Sequence, residues 1–174
     1  QQDHFLPPDN VQEYPQEKIA HRISPTNEGL FLVSGLVARD LGFVSMSSMV
    51  ELWERNLASW TQFDRLNGHF YNLYYEVTMQ PLFPRYVSTV DSGNLIACYL
   101  TLQQGIEELH GSAIFDRFLT DGVADTIEMI RDTGRVMHFK DDRQLQPLWT
   151  PFVESLNRFE SQLANVPGDI LAWQ

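Results

Sequence analysis

Cysteine and basic residues are the scarce components of this 174-residue sequence. Its single cysteine, Cys98, excludes an internal disulfide and a cysteine-based zinc site. Cys98 lies in the apolar run of residues 95–100, which predicts a packed thiol rather than redox chemistry. There are 12 Lys and Arg residues against 23 Asp and Glu, for a formal charge of −11, and the basic residues are scattered. This balance argues against a surface that tracks nucleic-acid phosphates, so we expect no nucleic-acid partner.

Long hydrophobic runs and the common cofactor motifs are also missing. No apolar run approaches the roughly 20 residues that span a bilayer, and residues 1–8 show no signal-peptide pattern, so we expect a soluble segment. The five histidines have no paired metal spacing. The sequence has no phosphate loop, dinucleotide fingerprint or nucleophile elbow. We therefore expect neither a metal nor a cofactor.

What the sequence does contain predicts a folded, mainly helical domain. Residues 1–26 hold Pro7, Pro8, Pro15 and Pro25 among polar side chains, a pattern typical of an extended arm. Residues 27–174 form the predicted helical domain. Two helices within it are apolar on most faces and are predicted to be buried, from about 26 to 42 and from about 91 to 109. Three others are amphipathic, with one wet side, near residues 49–63, 114–130 and 148–163.

The alternation of buried and half-exposed helices predicts a partial α/α toroid with two layers of helical hairpins and an all-α fold. In that arrangement successive inner helices run parallel, so the helix starts near Thr26 and Asp91 should lie at the same end. Free amide groups and the positive end of each helix dipole would then converge beside the long aromatic loop of residues 67–86, which has room for a short hairpin. Ser24, Thr26, Asp91 and Ser92 are equally well explained as helix caps.

Four ordered motifs carry a resemblance to a known family. They are Leu6-Pro7-Pro8-Asp9-Asn10-Val11-Gln12-Glu13, His21-Arg22-Ile23-Ser24-Pro25-Thr26-Asn27 with Gly29-Leu30, Gly68-His69-Phe70-Tyr71-Asn72, and the run from Arg85 to Leu95. On these motifs the chain resembles the helical, glucoamylase-like region of the cyclic β-1,2-glucan synthetases, in its amino-terminal part. Three positions depart from the family pattern: Ile23 replaces a Thr, Glu28 an apolar residue, and Leu73 an aromatic one.

The resemblance implies a function that composition does not show. It implies a region that handles linear β-1,2-glucan for transglycosylation or cyclisation, within a bacterial protein held at the inner membrane. It also implies a toroid of about six hairpins, of which this chain supplies roughly half. We therefore expect a fragment that is inactive in isolation. An alternative is a non-catalytic glycan-binding or assembly module, whose partner is the rest of a parent chain or a second copy. A third alternative is an excised piece without independent function.

A saccharide cleft needs polar groups for the hydroxyls and aromatic rings for the C–H faces. Residues that meet this need occur in the motifs, although structural roles remain open for each: capping for Asp91, clamping of a carboxylate for Arg85, and hydrogen bonding in the core for His21. Either role leaves Arg85 buried. Trp53, Trp60 and Trp149 are more simply explained as core. The predicted substrate-binding residues are Asp91, Arg85, His21, Arg22, Asn27, His69, Tyr71 and Asn72.

Glycoside chemistry ordinarily requires two carboxyl groups. The motifs offer one, Asp91, whereas the acidic residues on helix bodies are expected to face solvent. Asp141 and Asp142 lie in a predicted polar turn. The sequence therefore assigns no catalytic residue.

Overall fold

The protein is represented by a computed structural model that describes residues 4–112, 117–139 and 143–163. Helices predominate within these ranges, which confirms the mainly helical prediction, but short strands depart from an all-α fold. The elements are β1 (Asn10–Gln12), β2 (Lys18–Ala20), β3 (Arg22–Ile23), α1 (Pro25–Asp40), α2 (Met46–Trp60), β4 (Arg65–Leu66), β5 (His69–Phe70), β6 (Tyr74–Tyr75), β7 (Gln80–Pro81), α3 (Thr89–Leu109), α4 (Arg117–Val136) and α5 (Gln146–Leu163).

The chain divides into two compact units. The first contains the described residues up to Val37 together with Met46–Gly111. The second contains Ala38–Ser45 and the described residues from Ser112 onward. Helix α1 therefore contributes its last turn to the second unit.

Helices α1 and α3 lie side by side in the first unit and run parallel. Their contacts follow one another in the same direction along both helices: Thr26 with Asp91, Gly29 with Cys98, and Leu36 with Gly105. Gly29 allows the close approach, because a Cβ at this position would lie 2.8 Å from the Cβ of Cys98. The predicted packing of the Cys98 side chain and the predicted shared end of the two helix starts are confirmed.

Helix α2 packs against α1 in the opposite direction and completes a helical hairpin. Asn56, near the end of α2, bonds to Glu28 near the start of α1. Trp53, earlier in α2, lies against Gly35, which is seven residues further along α1. Trp53 and Trp60 are 6% and 1% exposed, which confirms their predicted place in the core.

An aromatic cluster fills the core of the first unit. The ring of Phe63 lies 4.9 Å from Trp60 and 4.3 Å from Tyr74, measured between centroids. Leu6, Ile23 and Leu95 complete the buried set, so the segment before β1, strand β3 and helix α3 share one core. Large aromatic side chains bury enough apolar area to anchor the long loop between α2 and α3.

The proline-containing segment expected to form an extended arm pairs with itself and with the loop. Strands β1 and β2 form an antiparallel hairpin, and β3 pairs with β6, which pairs with β7. Strands β4 and β5 form another hairpin at the start of the loop, and the β6–β7 pair confirms the short hairpin predicted within residues 67–86. Extended backbone has free amide and carbonyl groups, and these short ladders satisfy them.

The sides of α1 and α3 that face away from this core are exposed. Leu30 and Val37 of α1 are 57% and 52% exposed, and Ile96 and Leu100 of α3 are 56% and 63% exposed. The two helices were predicted to be buried on most faces, and that prediction is wrong for the described chain. Its residues cover only one side of each helix. We call this surface, with Leu30, Val37, Val90, Ile96 and Leu100, the outer apolar face.

The second unit is built on α4 and α5. Gly42 and Gly122 meet backbone to backbone, where a side chain on either would clash, and Gly42 has a φ of +72° that favours glycine. Arg131 of α4 donates to Glu160 of α5 at 2.6 Å. A cavity of about 370 Å³ is lined by Phe139, Leu145, Leu148, Trp149 and Phe152.

Some predictions fall on other parts of the chain. The predicted start of α4 near Ile114, the turn at Asp141 and Asp142, and residues 164–174 of the predicted domain lie outside the described residues. Among the helices in the described ranges, none combines the length and apolarity that crossing a bilayer requires.

Candidate functional site

The two helix starts at the shared end are closed by matching caps. Ser24 Oγ donates to Asn27 Oδ1 at 2.6 Å, and the Asn27 amide donates to Ser24 Oγ at 3.2 Å. On α3 the Asp91 amide donates to Ser88 Oγ at 3.1 Å. Each cap satisfies an amide that the first helical turn leaves without a backbone partner. The side-chain carbonyl of Asn27, which was predicted to contact a ligand, therefore accepts a hydrogen bond from Ser24 instead.

Thr26 joins the two starts. Its hydroxyl donates to Asp91 Oδ1 at 2.5 Å and accepts a hydrogen bond from Asn94 Nδ2 at 3.1 Å. Asp91 is half-buried in the first turn of α3, where the positive end of the helix dipole favours a negative charge. The predicted convergence of the two polar helix starts is therefore confirmed.

The loop between α2 and α3 is held close to the same end. The Asn72 amide donates to the Tyr86 carbonyl at 2.9 Å, just before α3 begins. The Tyr71 amide donates to Tyr74 Oη at 2.7 Å, and that hydroxyl donates to the Asp64 carbonyl at 2.6 Å. Burial raises the pKa of Tyr74 to about 12, so its hydroxyl stays protonated as a donor. We call the end formed by Thr26, Asn27, Asn72, Asp91 and Asn94 the helix-start face.

The next two predicted residues, His21 and Arg22, lie just before α1, with Arg22 as the first residue of β3. His21 Nδ1 lies 3.5 Å from Glu76 Oε2, and the Glu76 amide donates to the His21 carbonyl at 3.3 Å. Arg22 directs both Nε and Nη2 to Asp9 Oδ2, each at 2.8 Å. This ion pair ties the chain before β1 to β3. The sequence suggested that an arginine clamps a carboxylate only for Arg85, so the role of Arg22 is a finding of the structure.

Arg85 and His69 are placed differently. Arg85 is exposed, with its guanidinium carbon 4.8 Å from the centroid of the Phe83 ring, which is itself 81% exposed. The prediction that Arg85 is buried is wrong, because a guanidinium can cover an aromatic face while it keeps its hydration. His69 is exposed on β5, opposite Leu66 in the β4–β5 hairpin. Ligand binding by these eight residues remains a prediction.

Two fully buried carboxyl groups were missed by sequence reasoning. Glu28 and Glu76 are both 0% exposed. Asn56 Nδ2 donates to Glu28 Oε2 at 3.1 Å and also to the Phe5 carbonyl at 3.1 Å. Burial raises the pKa of Glu28 to about 7, with the Asn56 hydrogen bond opposing the shift. One feature of the sequence could have indicated that Glu28 is buried: it stands among apolar residues, at a position where the family pattern has an apolar side chain.

The helix-start face offers donors and acceptors suited to a polyhydroxylated ligand. Asp91 and Asn94 present carboxylate and amide groups, whereas the half-buried Tyr71 ring packs against the aromatic core, 6.3 Å from the Tyr74 ring. Among the described residues no three His, Cys, Asp or Glu side chains come together as a metal site would require. The arrangement therefore fits ligand binding through hydrogen bonds, and it identifies no acid and base pair.

Sequence comparison shows which known protein the chain is similar to. No protein-family model matches the sequence. The chain is 32% identical over 167 residues to the protein named cyclic beta-(1,2)-glucan synthase NdvB from Rhizobium meliloti (strain 1021). The match covers 95% of this chain and 6% of that protein. The predicted resemblance is confirmed: the chain is similar to a segment of a bacterial cyclic β-1,2-glucan synthase.

Proposed function

We propose that the helix-start face binds linear β-1,2-glucan and positions it for transglycosylation or cyclisation by a longer protein. The observation that carries this proposal is the Thr26–Asp91 hydrogen bond, which brings two helix starts and their polar groups to one place. The relative's name, which refers to the synthesis of cyclic β-1,2-glucan, supports the choice of ligand.

The chemistry of the helix-start face suits a sugar chain. The carboxylate of Asp91 accepts hydrogen bonds from hydroxyls, and charged acceptors make the stronger bonds of this kind. The amide of Asn94 supplies both a donor and an acceptor. A chain of linked sugars extends along such a face and engages several of these groups together.

The isolated chain is proposed to bind glucan without catalysing a reaction on it. Parallel α1 and α3, with α2 returning beside α1, match two inner helices and one outer helix of an α/α toroid. The remaining hairpins and the reacting carboxyl groups would come from the rest of a parent protein at the bacterial inner membrane. The chain spans 6% of the relative's length, so this larger context belongs to the proposal.

Isothermal titration calorimetry tests the proposal directly. The chain is titrated with linear β-1,2-glucooligosaccharides, and β-1,3- and β-1,4-linked oligomers of equal length serve as matched ligands. We expect saturable binding to the β-1,2 series and at least tenfold weaker binding to the other linkages. Equal affinity for all three linkages, or no binding by a folded sample, contradicts the proposal.

A second candidate function is assembly, and the outer apolar face favours it. No charged residue occurs in α1 between Glu28 and Arg39 or in α3 between Asp91 and Glu107. Exposed apolar surfaces of this kind mark interaction sites, of which contacts with other protein are one class. We infer that helices from a longer chain cover the outer apolar face, since two copies that each carry a charge of −11 repel one another.

Sedimentation of the isolated chain separates the possible occupants. We expect a monomer at micromolar concentration whose outer apolar face binds a polarity-sensitive dye such as ANS. The double substitution of Ile96 and Leu100 by Gln should remove most of the dye signal. A stable dimer that this double substitution dissociates would instead identify a second copy as the occupant and contradict the inference.

A further inference from the structure

The side chains of Glu28 and Asn56 form a buried pair between α1 and α2, and both residues are 0% exposed. Asn56 Nδ2 donates one hydrogen to Glu28 Oε2 and the other to the Phe5 carbonyl, each at 3.1 Å. These two acceptors fix the orientation of the amide, because exchanging its nitrogen and oxygen would leave both without a donor. The pair therefore joins the first turn of α1, the end of α2 and the segment before β1.

Two buried oxygen atoms of this pair, Glu28 Oε1 and Asn56 Oδ1, have no hydrogen-bond partner among the described residues. In an ionised Glu28 both atoms are acceptors, and the described chain directs no donor at either of them. Buried polar atoms without a partner are rare in folded proteins and costly. The ionised form of the pair is therefore unfavourable.

A single proton on the carboxyl group satisfies both atoms. A hydrogen on Glu28 Oε1 that is donated to Asn56 Oδ1 closes a ring of two hydrogen bonds with the existing bond from Nδ2 to Oε2. A carboxylic acid and a primary amide are similar in shape and complementary in donors and acceptors, so the ring needs no further group. Burial raises the pKa of Glu28 to about 7, which agrees with a neutral acid below neutral pH.

The surroundings of the pair add no positive side chain that would favour the ion. Tyr99 of α3 is the titratable group whose pKa responds to Glu28. Burial and, secondly, the charge of Glu28 raise the pKa of Tyr99 to about 12, so its hydroxyl stays neutral. The positive end of the α1 dipole favours an ion in the first turn, but no described donor reaches Glu28 Oε1.

We propose that Glu28 is a neutral acid that donates to Asn56 Oδ1, and that loss of its proton at alkaline pH opens the pair and loosens the start of α1 at the helix-start face. Thr26 and Asn27 of that face directly precede Glu28 in α1. The consequence for a sugar ligand rests on the proposed function. The ring and the loosening are properties of the protein without ligand and are measured separately.

Carbon-13 NMR of the side-chain carbonyl groups tests the ring. The Cδ shift of Glu28, assigned by its loss in Glu28→Gln, reports the protonation of the carboxyl, and the Cγ shift of Asn56 reports the bond that Oδ1 accepts. We expect both shifts to change together with a midpoint of about 7. A Glu28 carboxyl already ionised at about pH 5 would overturn the inference and make a bound water the donor to both oxygens. An Asn56 signal that does not follow Glu28 would overturn the ring.

Glu28→Gln and Glu28→Leu distinguish a closed ring from a glutamate that is merely buried. The Gln side chain retains both bonds, since its amide donates to Asn56 Oδ1 and accepts from Nδ2, whereas Leu retains neither. At about pH 6, where wild type is largely protonated, Glu28→Gln should unfold close to the wild-type temperature and Glu28→Leu several degrees lower. Equal unfolding temperatures for the two variants would contradict the ring. If Glu28→Leu does not fold, the ¹³C titration of wild type decides.

Hydrogen exchange tests the loosening of α1 without ligand. The Asn27 amide donates to Ser24 Oγ and the Glu28 amide to the Ser24 carbonyl, so both amides report the first turn. From about pH 6 to about pH 8.5, after correction for intrinsic rates, we expect their protection in wild type to fall about tenfold. Glu28→Gln, which has no proton to lose, should keep its protection, as should the α4 amides of the second unit in both proteins. Equal changes in wild type and Glu28→Gln would overturn the loosening.

Calorimetric titration with the β-1,2-glucooligosaccharide at the same two pH values tests the consequence for the helix-start face. We expect the loss of affinity at the higher pH to be about fivefold greater in wild type than in Glu28→Gln. Histidines titrate in the same range but are present in both proteins, so the comparison isolates Glu28. Equal losses would refute the effect on the ligand alone. No binding by either protein would refute the proposed function, whereas the ¹³C and exchange results would still decide the pair.

Discussion

Thr26 and Asp91 lie 65 residues apart in the sequence and share a 2.5 Å hydrogen bond between the first turns of α1 and α3. The bond connects a hydroxyl to a carboxylate at the positive ends of two parallel helices. Because Ser88 already caps α3 through the Asp91 amide, the carboxylate of Asp91 is not needed to close its own helix. The carboxylate is instead available for contacts across the helix-start face.

Asp91→Ala should weaken glucan binding by about tenfold to a hundredfold, since hydrogen bonds to a charged group contribute about 1.5–3 kcal/mol. Ser88→Ala is the matched control. It removes the cap of the same helix and should cost about 1 kcal/mol of stability, yet it retains the carboxylate and the affinity. Calorimetry gives both affinities, and thermal unfolding gives both stabilities. Equal affinity in Asp91→Ala and wild type would restrict Asp91 to a structural role.

The close approach of α1 and α3 makes opposite predictions for two glycines. Gly29→Ala places a Cβ 2.8 Å from the Cβ of Cys98 and should cost about 1–3 kcal/mol of stability. Gly93→Ala on α3 meets nothing within 4 Å and should stabilise the helix by up to about 1 kcal/mol. Urea unfolding measures both changes. A neutral Gly29→Ala would contradict the packing of these two helices.

Leu100 and Leu102 lie on opposite sides of α3, at 63% and 7% exposure. Leu102→Ala should therefore cost about 2–4 kcal/mol, because a buried side chain is lost and a cavity remains. Leu100→Ala in the isolated chain should change stability by less than about 0.5 kcal/mol. Denaturant unfolding of the two variants checks the orientation of the helix. Similar losses would mean that the outer apolar face is covered in solution.

Glu28 predicts a specific dependence of stability on pH. Its pKa is raised from 4.5 to about 7 in the folded chain, so the folded state retains a proton that the unfolded state releases. The contribution of Glu28 to the free energy of unfolding is therefore greatest below pH 4.5. It decreases as the pH rises to about 7, by on the order of 3 kcal/mol in total.

Glu28→Gln should remove this part of the pH dependence. The difference in unfolding free energy, variant minus wild type, should increase by about 3 kcal/mol from pH 4.5 to pH 7.5. Glu54→Gln changes an exposed glutamate on α2 and should follow the wild-type curve. Parallel curves for wild type and Glu28→Gln would show that the carboxyl is not buried as described.

The helices were predictable from the sequence because local signals and apolar periodicity agree. Ser24 with Pro25 marks the start of α1, and Ser88 marks the start of α3. The short strands were harder, since each has only two or three residues, which is too few for a clear alternation of apolar and polar side chains. The pairing of β3 with β6 joins residues more than 50 positions apart, and no local pattern specifies it.

The candidate site was predictable only in part, for a related reason. The parallel order of helices brought Thr26 and Asp91 together by topology, which the alternating pattern implied. Burial of Glu28 and Glu76 depends on which side chains pack over them, and charged residues are ordinarily exposed. The exposure of Arg85 depends on the Phe83 ring beneath it, a contact that spacing does not determine.

The central claim is that linear β-1,2-glucan binds at the helix-start face, and NMR mapping of the ¹⁵N-labelled chain tests it most directly. During titration with the oligosaccharide, the amide signals of Thr26, Asn72, Asp91 and Asn94 should shift together and saturate. Signals around the cavity of the second unit that Trp149 lines, here called the Trp149 cavity, should remain unchanged. Saturable shifts that spare the helix-start face, or that centre on the Trp149 cavity, would contradict the account.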